Sequence, residues 1–481
     1  MPKDNKFSIT FDKFYQGFSP MAFQNSLTEI GGGGHASSMQ NVDVINGDYI
    51  TQGPGLANLT AGTQAGAVTE LITYIMDKAV TADATYAIGA TKLFKLSSTA
   101  VTNDGTFPHT ITSCADGESI QVLKGNLYAF YNTSSAGNIL KYDLSSTFDD
   151  DWGSTTPTGA AALQKAPHPS AKKEDIMLFG NGRYVGTYIA ETDTLAPTKL
   201  DFGNDAEVAD CLFLNGLWYI AVNFGVTGTN RTEGQIYLYD GSTVSSTLAD
   251  ETGVGMQRIG FLYMINGVIY VAYQDLSSTG FIIGYIVGSQ IKSLKRYTGT
   301  LPDFSQKTLY KNTILSISSN LVYSAGSLID ELPYQLSQIA DGGYSTVGAI
   351  AAPFGTPMIA STESTNYKLA KFSGYDTACN WRSIVIPLSA GGMRGYIDNI
   401  TVLTKSLGAN ARCDLIIESD QAATNSNTMQ ITGTGITRHT FSGIGLGQIE
   451  DFRVFLNWAN GNATNDCAIR KIVVDGHFIE N

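Results

Sequence analysis

Short apolar runs separated by tight-turn dipeptides dominate this chain. The clearest case covers residues 261–273, where two β-branched and aromatic runs meet at Asn266-Gly267. A type I′ turn needs positive φ at both central residues, and Asn-Gly supplies this at the lowest steric cost. The pattern therefore predicts a β-hairpin at this place.

Weaker copies of this hairpin recur from about residue 66 to residue 376. Each copy has an apolar run, a tight turn, an aromatic-rich run, a polar loop and a third strand. The first copy covers residues 69–96, and the later turns are Gly125-Asn126, Asn181-Gly182, Asn215-Gly216, Asn266-Gly267, Ser319-Asn320 and Phe354-Gly355. About seven copies at spacings of ~35–57 residues are typical of the four-stranded blades of a β-propeller.

Burial is the physical reason to expect a ring of blades. A lone twisted sheet of this size cannot bury both faces, whereas radial packing against neighbouring blades covers them. Hairpins rich in glycine and aromatic residues also occur in stacked β-sandwiches and β-solenoids, so these arrangements stay open as alternatives. Helix signals are nearly absent, and the best of them, residues 69–78, also fits a strand.

The C-terminal part of the chain has a different pattern. Its strands are longer and alternate apolar with polar residues, as in residues 396–403 and 449–458. Six to eight antiparallel strands of this type make a β-sandwich of roughly 100 residues. We therefore predict an all-β protein with a propeller of about seven blades over residues 66–376 and a β-sandwich over residues 377–481.

The N-terminal residues 1–65 are predicted to form an extended arm followed by a hairpin through Asn46-Gly47. The arm is rich in aromatic residues but broken by Gly17, Pro20 and the glycines at 31–34, so it has little means of burying itself. We expect it to lie along the main domain or on a neighbouring subunit. The candidate subunit-contact residues are Phe14, Tyr15, Phe18, Met21 and Phe23.

Composition agrees with an all-β fold and limits the partners. The chain has 51 glycines and only 15% charged residues, which suits a protein with many strands and turns. Its net charge of −13 argues against nucleic-acid binding, because phosphate contacts need clustered Lys and Arg. An acidic surface would instead let DNA slide past without sticking.

The sequence gives no sign of a cysteine-based site or of a targeting signal. The five cysteines are dispersed without CxxC spacing, which argues against a zinc site or a disulfide framework and favours buried free thiols in a reducing cytosol. The N-terminus lacks the apolar core of a secretory signal. No run of about 18 apolar residues occurs, so we expect no membrane insertion.

No catalytic motif is evident, and we predict neither an enzyme nor a bound cofactor. Sialidase-type Asp boxes, GxSxG and HExxH are absent, and the five histidines are scattered. Asp149-Asp150-Asp151 could hold Ca²⁺, but three adjacent residues cannot supply six or more ligands, which favours a solvated interblade loop. The pairs Glu450-Asp451 and Asp398-Asn399 are interpreted as exposed strand or turn residues.

Residues 39–56 resemble the N-terminal stretch of tailed-bacteriophage virion proteins. In those proteins an Asn-Val-Asp segment ending in Pro-Gly follows an aromatic Gly-Phe arm and precedes a propeller. Gly17-Phe18 and Gly53-Pro54-Gly55 follow the same order here, although Gln52-Gly53 stand where the family usually has a basic residue. Residues 398–403, 458–464 and 471–476 look like the terminal sandwich of similar tail proteins.

The resemblance implies a virion structural protein: a multi-copy tail component of the nozzle, tube or tip type that forms or lines the DNA-ejection conduit. The implied partners are copies of the chain in a ring, other tail proteins, phage DNA in transient contact, and the host surface. The implied location is the virion tail, after synthesis in the host cytoplasm. A host-receptor or glycan-binding tail module is the main alternative, followed by a glycan-cleaving enzyme.

Overall fold

The computed structural model describes residues 6–12, 14, 36–40, 42–43, 49–64, 70–75, 84–89, 91–102, 107–225, 233–250, 256–275, 280–297, 299–310, 313–318, 321–325, 344–352, 355–363, 366–376, 379–388, 394–419 and 422–479. The chain divides into two compact units. Unit 1 comprises Met1–Ala57, Val322–Gly342 and Phe372–Asn481, and unit 2 comprises Asn58–Leu321 and Gly343–Lys371.

The described residues are almost entirely β-structure. The first strands are β1 (Lys6–Phe11), β2 (Ala36–Gln40), β3 (Val42–Asp43), β4 (Thr51–Gln52), β5 (Leu56–Gln64), β6 (Glu70–Ile75), β7 (Ala84–Gly89), β8 (Lys92–Leu96), β9 (His109–Thr110), β10 (Asp116–Leu123), β11 (Asn126–Asn132), β12 (Gly137–Tyr142) and β13 (Phe148–Asp149). One short helix, α1 (Trp152–Thr155), follows them.

The middle of the chain continues in the same way. Its strands are β14 (Ser170–Lys173), β15 (Ile176–Asn181), β16 (Tyr184–Ile189), β17 (Thr194–Asp201), β18 (Ala206–Leu214), β19 (Leu217–Phe224), β20 (Glu233–Tyr239), β21 (Val244–Asp250), β22 (Met256–Ile265), β23 (Val268–Asp275), β24 (Phe281–Val287), β25 (Gln290–Tyr297), β26 (Lys307–Tyr310), β27 (Thr313–Ser318) and β28 (Leu321–Ala325).

The last strands complete both units. They are β29 (Tyr344–Ala351), β30 (Met358–Glu363), β31 (Asn366–Phe372), β32 (Asn380–Ser383), β33 (Ile386–Pro387), β34 (Gly395–Thr404), β35 (Arg412–Ser419), β36 (Ala422–Thr432), β37 (Arg438–Ser442), β38 (Asp451–Asn457) and β39 (Ile469–Phe478).

The strands from β5 to β31 form a β-propeller whose described residues make up seven blades. Blades 1 to 5 each contain four consecutive antiparallel strands, from β6–β9 to β22–β25. Blade 6 contains β26–β28, and blade 7 contains β29–β31. The first strand of each blade lies innermost, next to the first strands of neighbouring blades. The predicted fold class is thus confirmed.

The ring is closed by a strand from the other end of the repeat region. β5 pairs with β31 and so becomes the fourth strand of blade 7. Leu59 of β5 is 3% exposed, and it shares a core cluster with Phe94 of blade 1 and Leu369 of blade 7. Because this strand comes before blade 1 in the chain, it ties the first blade to the last.

The predicted hairpin turns are confirmed where the sequence signal is strongest. Asn266 and Gly267 have φ values of 50° and 81°, as a type I′ turn requires. Asn215 and Gly216 repeat this geometry with φ values of 51° and 85°. The expected hairpin turn at Asn46-Gly47 and the turns at Ser319-Asn320 and Phe354-Gly355 fall wholly or partly outside the described residues.

Two other turns differ from the prediction by one residue. In blade 2 the residues with positive φ are Lys124 and Gly125, one position earlier than expected. In blade 3 the strand continues through Asn181, and the turn begins at Gly182. The Asn181 side chain accepts a hydrogen bond from Gln164 N at 2.7 Å, so this residue serves the interior and not the turn.

Unit 1 contains a β-sandwich built from two sheets. One sheet has the order β1-β39-β34-β37, and the other has the order β2-β32-β38-β35-β36, with β33 also pairing with β38. Trp381 and Trp458 are fully buried in it. The predicted C-terminal sandwich is therefore present.

Two N-terminal strands, β1 and β2, are part of this sandwich, and β5 is part of the propeller, so the prediction of a separate arm and hairpin over residues 1–65 is corrected. β1 pairs with β39 from Lys6 opposite His477 to Phe11 opposite Ile472. β2 pairs with β32 in the other sheet. Each sheet thus gains an edge strand from the N-terminal part of the chain. In β1 every second residue is apolar and buried, so one face of the strand packs on the core.

Phe14 is likewise a core residue, which corrects its assignment as a subunit contact. Its side chain is 1% exposed, and its ring meets Trp381 edge-on at 5.2 Å between centroids. Such edge-to-face pairs stabilise a core beyond simple burial. The other candidate contact residues, Tyr15, Phe18, Met21 and Phe23, lie outside the described residues.

Among the described residues, no helix is long and apolar enough to cross a membrane.

We predict that Phe11→Ala destabilises unit 1 by about 3–5 kcal/mol, because it removes a buried ring and leaves a cavity in the sandwich. Chemical denaturation of the full chain, followed by tryptophan fluorescence, measures the change. Ser8→Ala on the exposed face of the same strand is the control and should alter stability by less than about 0.5 kcal/mol. Equal effects of the two variants would show that β1 is not part of the core.

Candidate functional site

The propeller encloses a cavity of about 640 Å³ at its centre. The walls come from the inner strands β10, β14, β18, β22, β26 and β29, and from Phe304 and Ser305 just before β26. Cavities of this size that gather apolar walls and a few polar groups are the usual places for small ligands. This central cavity is therefore the candidate site.

β-bulges in the inner strands set which side chains face the cavity. In β18 the register shifts between Val208 and Asp210, and in β22 it shifts between Ile259 and Phe261. An extra residue on one strand bends it and changes the face taken by the residues that follow. Asp210 comes directly after such a shift, so local strand geometry contributes to its place at the cavity.

A buried ion pair joins three blades at this cavity. Lys307 of β26 donates hydrogen bonds to Asp210 Oδ2 of β18 and, at 2.7 Å, to the carbonyl of Leu262 in β22. Asp210 also accepts from Leu262 N at 2.7 Å and from Cys211 N at 2.8 Å. The Lys307 ammonium lies 5.4 Å from the ring centre of Phe261, within cation–π range.

Burial governs protonation in this cluster. Burial raises the pKa of the Asp210 carboxyl, and the Lys307 ammonium with the two amide donors opposes that rise. Burial also raises the pKa of the Cys211 thiol well above its ordinary value, and the Asp210 charge adds to the effect. Because a thiolate is the nucleophilic form of cysteine, Cys211 is poorly suited to nucleophilic chemistry.

The carboxylates of the cavity lining bear on the chemistry that the cavity can carry out. Asp210 is the one carboxylate among the described residues that line it, and Lys307 already pairs with that carboxylate. Glycoside hydrolysis generally uses two carboxyl groups on either side of the bond that breaks. The described lining does not offer such a pair.

A smaller cavity of about 210 Å³ shares Phe304 and Ser305 with the central one. Its lining includes Glu118, Glu207 and Asp303. The Glu118 carboxylate accepts hydrogen bonds from Asn132 Nδ2 at 2.6 Å and from His168 N at 3.3 Å. Glu118 therefore already bridges neighbouring blades.

His168 is a buried histidine held between blades. It is fully buried, and its Nδ1–H donates to the Gly180 carbonyl at 2.8 Å. A side chain at Gly137 would come within 2.2 Å of its Nε2, so this approach needs a glycine. Burial lowers the pKa of His168 to about 4. The neutral ring is thus a structural element, and sequence spacing gave no signal of it.

The structure brings the three aspartates 149–151 together at the end of β13 and in the turn that follows it. One carboxylate oxygen from each lies within 4.8 Å of the others. Thr112 N donates to Asp150 at 2.7 Å, and the Thr156 hydroxyl donates to Asp149 at 3.1 Å. Burial and the Asp149 carboxylate raise the pKa of Asp151. The following residue, Trp152, is 1% exposed and belongs to the core.

The other carboxylates singled out in the sequence make local contacts in unit 1. Glu450 pairs with Arg394 at 2.8 Å, and Asp398 meets His477 at 2.9 Å. Both pairs are about half exposed. Exposed pairs of this kind contribute little to stability and do not form a site.

Residues 52–55 have a definite structural place in unit 1. Gly53 O accepts a hydrogen bond from Asp376 N, and Gly55 O accepts one from Ser373 N, both at 2.9 Å. Gln52 is 1% exposed and donates to the Asp376 carbonyl at 2.8 Å. This segment therefore links the N-terminal residues to the chain that enters the sandwich.

No family model matches the chain, and no curated protein matches it. Among solved structures it is similar to the extracellular domain of a hybrid two-component system from B. thetaiotaomicron, with a TM-score of 0.46 and 11% identity. That match covers 78% of this chain and 47% of the other, so this chain spans about half its length.

Two further structures are similar over a smaller part of this chain. The N-terminal domain of Nup159 has a TM-score of 0.38 and 9% identity, covering 66% of this chain and 95% of that one. An exo-β-1,3-galactanase from Phanerochaete chrysosporium has a TM-score of 0.32 and 10% identity, covering 67% and 98%. Likenesses this distant carry no argument about function.

We predict that Lys307→Met destabilises unit 2 by about 3–5 kcal/mol, because it leaves the Asp210 charge buried without its partner. The double variant with Asp210→Asn should be more stable than Lys307→Met alone, since no uncompensated charge remains. Denaturant unfolding of all four members of this cycle gives the coupling energy.

The matched control is Lys124→Met, because Lys124 pairs with Asp175 at 3.6 Å in the same unit with half of its side chain exposed. It should change stability by less than about 1 kcal/mol. A Lys307→Met effect no larger than the control would contradict a buried structural ion pair.

We predict that stability falls as the pH drops from about 6.5 to about 4, through the range in which the unfolded chain protonates His168 and the folded chain does not. The full stabilisation is about 3 kcal/mol, and it is present above the pKa that His168 has in the unfolded chain. Denaturant unfolding at several pH values gives the free energy of unfolding as a function of pH. The slope of this dependence should be smaller for His168→Gln than for the wild type. The exposed-site control His477→Gln should keep the wild-type slope, and an unchanged slope in both would contradict the prediction.

Proposed function

We propose that this chain is a structural protein of a tailed-bacteriophage virion, present in several copies in the tail. The observation that carries the proposal is the role of residues 50–55. They lie in the segment that resembles tail proteins, and Gly53 and Gly55 join it to Asp376 and Ser373 by main-chain hydrogen bonds. A segment that holds together residues far apart in the sequence suits a structural subunit of an assembly.

The overall charge supports a place along a DNA conduit. The chain carries a net charge of −13. Like charges keep DNA from adhering, and sparse Lys and Arg give few phosphate contacts. A wall of this kind would let DNA pass during ejection.

The central cavity supports a non-enzymatic role in the tail. Its one carboxylate among the described lining residues, Asp210, is bonded to Lys307 and to two amides. A carboxylate held in this way has little freedom to exchange protons with a substrate. The same cavity favours a second candidate function, recognition of a host-surface glycan by the tail, because aromatic side chains and lysines share its lining.

The proposal is tested on particles of the phage that encodes the chain. Particles purified on a density gradient are digested and quantified by mass spectrometry, and antibodies raised against the recombinant chain are used for immunogold microscopy. We expect several copies per particle and gold confined to the tail.

As a control, the antibody is first incubated with an excess of the recombinant chain, which occupies its binding sites. It should then give no labelling. If the chain is abundant in the infected-cell lysate but missing from complete, infective particles, the virion role is wrong.

A further inference from the structure

We infer that Asn215 and Asn266 are sites of covalent modification, at which the side-chain amide is lost and a carboxylate takes its place. Each is followed by glycine, in the turn from β18 to β19 of blade 4 and in the turn from β22 to β23 of blade 5. The inference goes beyond the virion role, because it concerns the chemistry of the chain itself and holds with or without particle assembly.

The reaction needs water as its only co-reactant. The main-chain nitrogen of the glycine attacks Cγ of the asparagine and closes a five-membered succinimide ring. The bond from Cγ to Nδ2 breaks, and the amide group leaves as ammonia with the proton that the glycine nitrogen loses. Water then opens the ring at either carbonyl, which gives aspartate or isoaspartate. Glycine favours ring closure because it has no Cβ to obstruct the attack.

Both asparagine side chains are accessible for this reaction. Asn215 and Asn266 are exposed, and within the described residues no hydrogen bond is made by either side-chain amide. A Cβ built at Gly216 or at Gly267 would meet nothing within 4 Å, so the attacking nitrogen lies in open surroundings. Neither step of the reaction therefore requires the core of a blade to open.

The turn itself must rearrange before the glycine nitrogen reaches Cγ, because a type I′ turn holds the asparagine backbone in another conformation. Local opening costs least at exposed tips that make few contacts. The nearest ladder pairs are Leu214 with Leu217 in blade 4 and Ile265 with Val268 in blade 5. The rearrangement is thus confined to the end of each hairpin.

The pair Asn181-Gly182 is protected by burial and hydrogen bonds. Asn181 is 2% exposed, its Oδ1 accepts from Gln164 N at 2.7 Å, and its Nδ2 donates to the Pro197 carbonyl at 3.0 Å. Both bonds must break before Cγ can turn towards the nitrogen of Gly182. The same dipeptide is therefore held unreactive here.

The pair Asn460-Gly461 is protected although Asn460 is exposed. Asn460 Nδ2 donates to Asp414 Oδ2 at 3.1 Å. The attacking atom, Gly461 N, donates to the Trp458 carbonyl at 2.6 Å. This pair separates the effect of hydrogen bonding from that of exposure.

Modification changes the surface around the blade 5 turn. Met264 and Val268, on either side of this turn, are each 38% exposed. A carboxylate at Asn266 puts a negative charge beside this apolar surface. Isoaspartate also lengthens the main chain by one carbon, which a two-residue type I′ turn cannot accommodate unchanged.

The test incubates the folded full chain at neutral pH, in parallel with the chain unfolded in guanidinium chloride, and follows each asparagine by peptide mass spectrometry. In the unfolded chain all four pairs should react at similar rates, because they share the same dipeptide. In the folded chain Asn215 and Asn266 should react at least about tenfold faster than Asn181 and Asn460, whose hydrogen bonds must break first. Fragment ions should identify isoaspartate, which only ring opening produces.

Asn410 is the matched control. It is exposed and has a φ of 61°, close to the values at the two turns, but Ala411 follows it. It should stay intact, because the Cβ of alanine hinders ring closure. The double variant Asn215→Asp with Asn266→Asp should no longer gain acidic species over time on ion-exchange chromatography, whereas Asn410→Asp should gain them at the wild-type rate.

Each contrary result overturns the inference. Asn215 and Asn266 that stay intact in the folded chain while the unfolded chain reacts would show that the turns are protected. Equal rates at all four pairs of the folded chain would remove the structural contrast. A product without isoaspartate would exclude the succinimide, and equal reaction at Asn410 would exclude the need for glycine.

Discussion

Closure of the blade ring by β5 is the constraint on which the rest of the propeller depends. Seven small blades have no single continuous core, and each covers its faces only when both neighbours are in place. The pairing of β5 with β31 supplies the last neighbour contact, with Leu59 buried between blade 7 and blade 1. A ring closed by its own first strand keeps the inner strands at a fixed spacing, and that spacing creates the central cavity.

The pairing of β5 with β31 continues into the residues beside these strands. Since β5 and β31 are paired, the residues just before one and just after the other continue side by side, so Gly55 reaches Ser373 and Gly53 reaches Asp376. From there the chain enters the sandwich, in which β1 and β2 supply edge strands. Residues 53–55 therefore lie beside the chain that follows β31.

Little of the candidate site could be predicted from the sequence. Asp210 and Lys307 lie 97 positions apart, and neither stands in a motif that marks a buried charge. They meet because the ring puts the inner strands of blades 4 and 6 around one cavity, and a register shift in β18 directly precedes Asp210. Asp149-Asp150-Asp151 is the opposite case: the cluster is conspicuous in the sequence, and its residues lie at the end of β13 and in the turn that follows, away from the central cavity lining.

The sequence by itself determined the local structure of the chain. Asn215-Gly216 and Asn266-Gly267 impose turn geometry through backbone sterics alone, and alternating apolar runs favour strands wherever they lie. Tertiary structure decided what these elements serve. Phe14 belongs to the core and not to an exposed arm, because Trp381, more than 360 positions later, offers it a buried face. Contacts between residues so distant depend on the closed ring and the completed sandwich, and no local pattern encodes them.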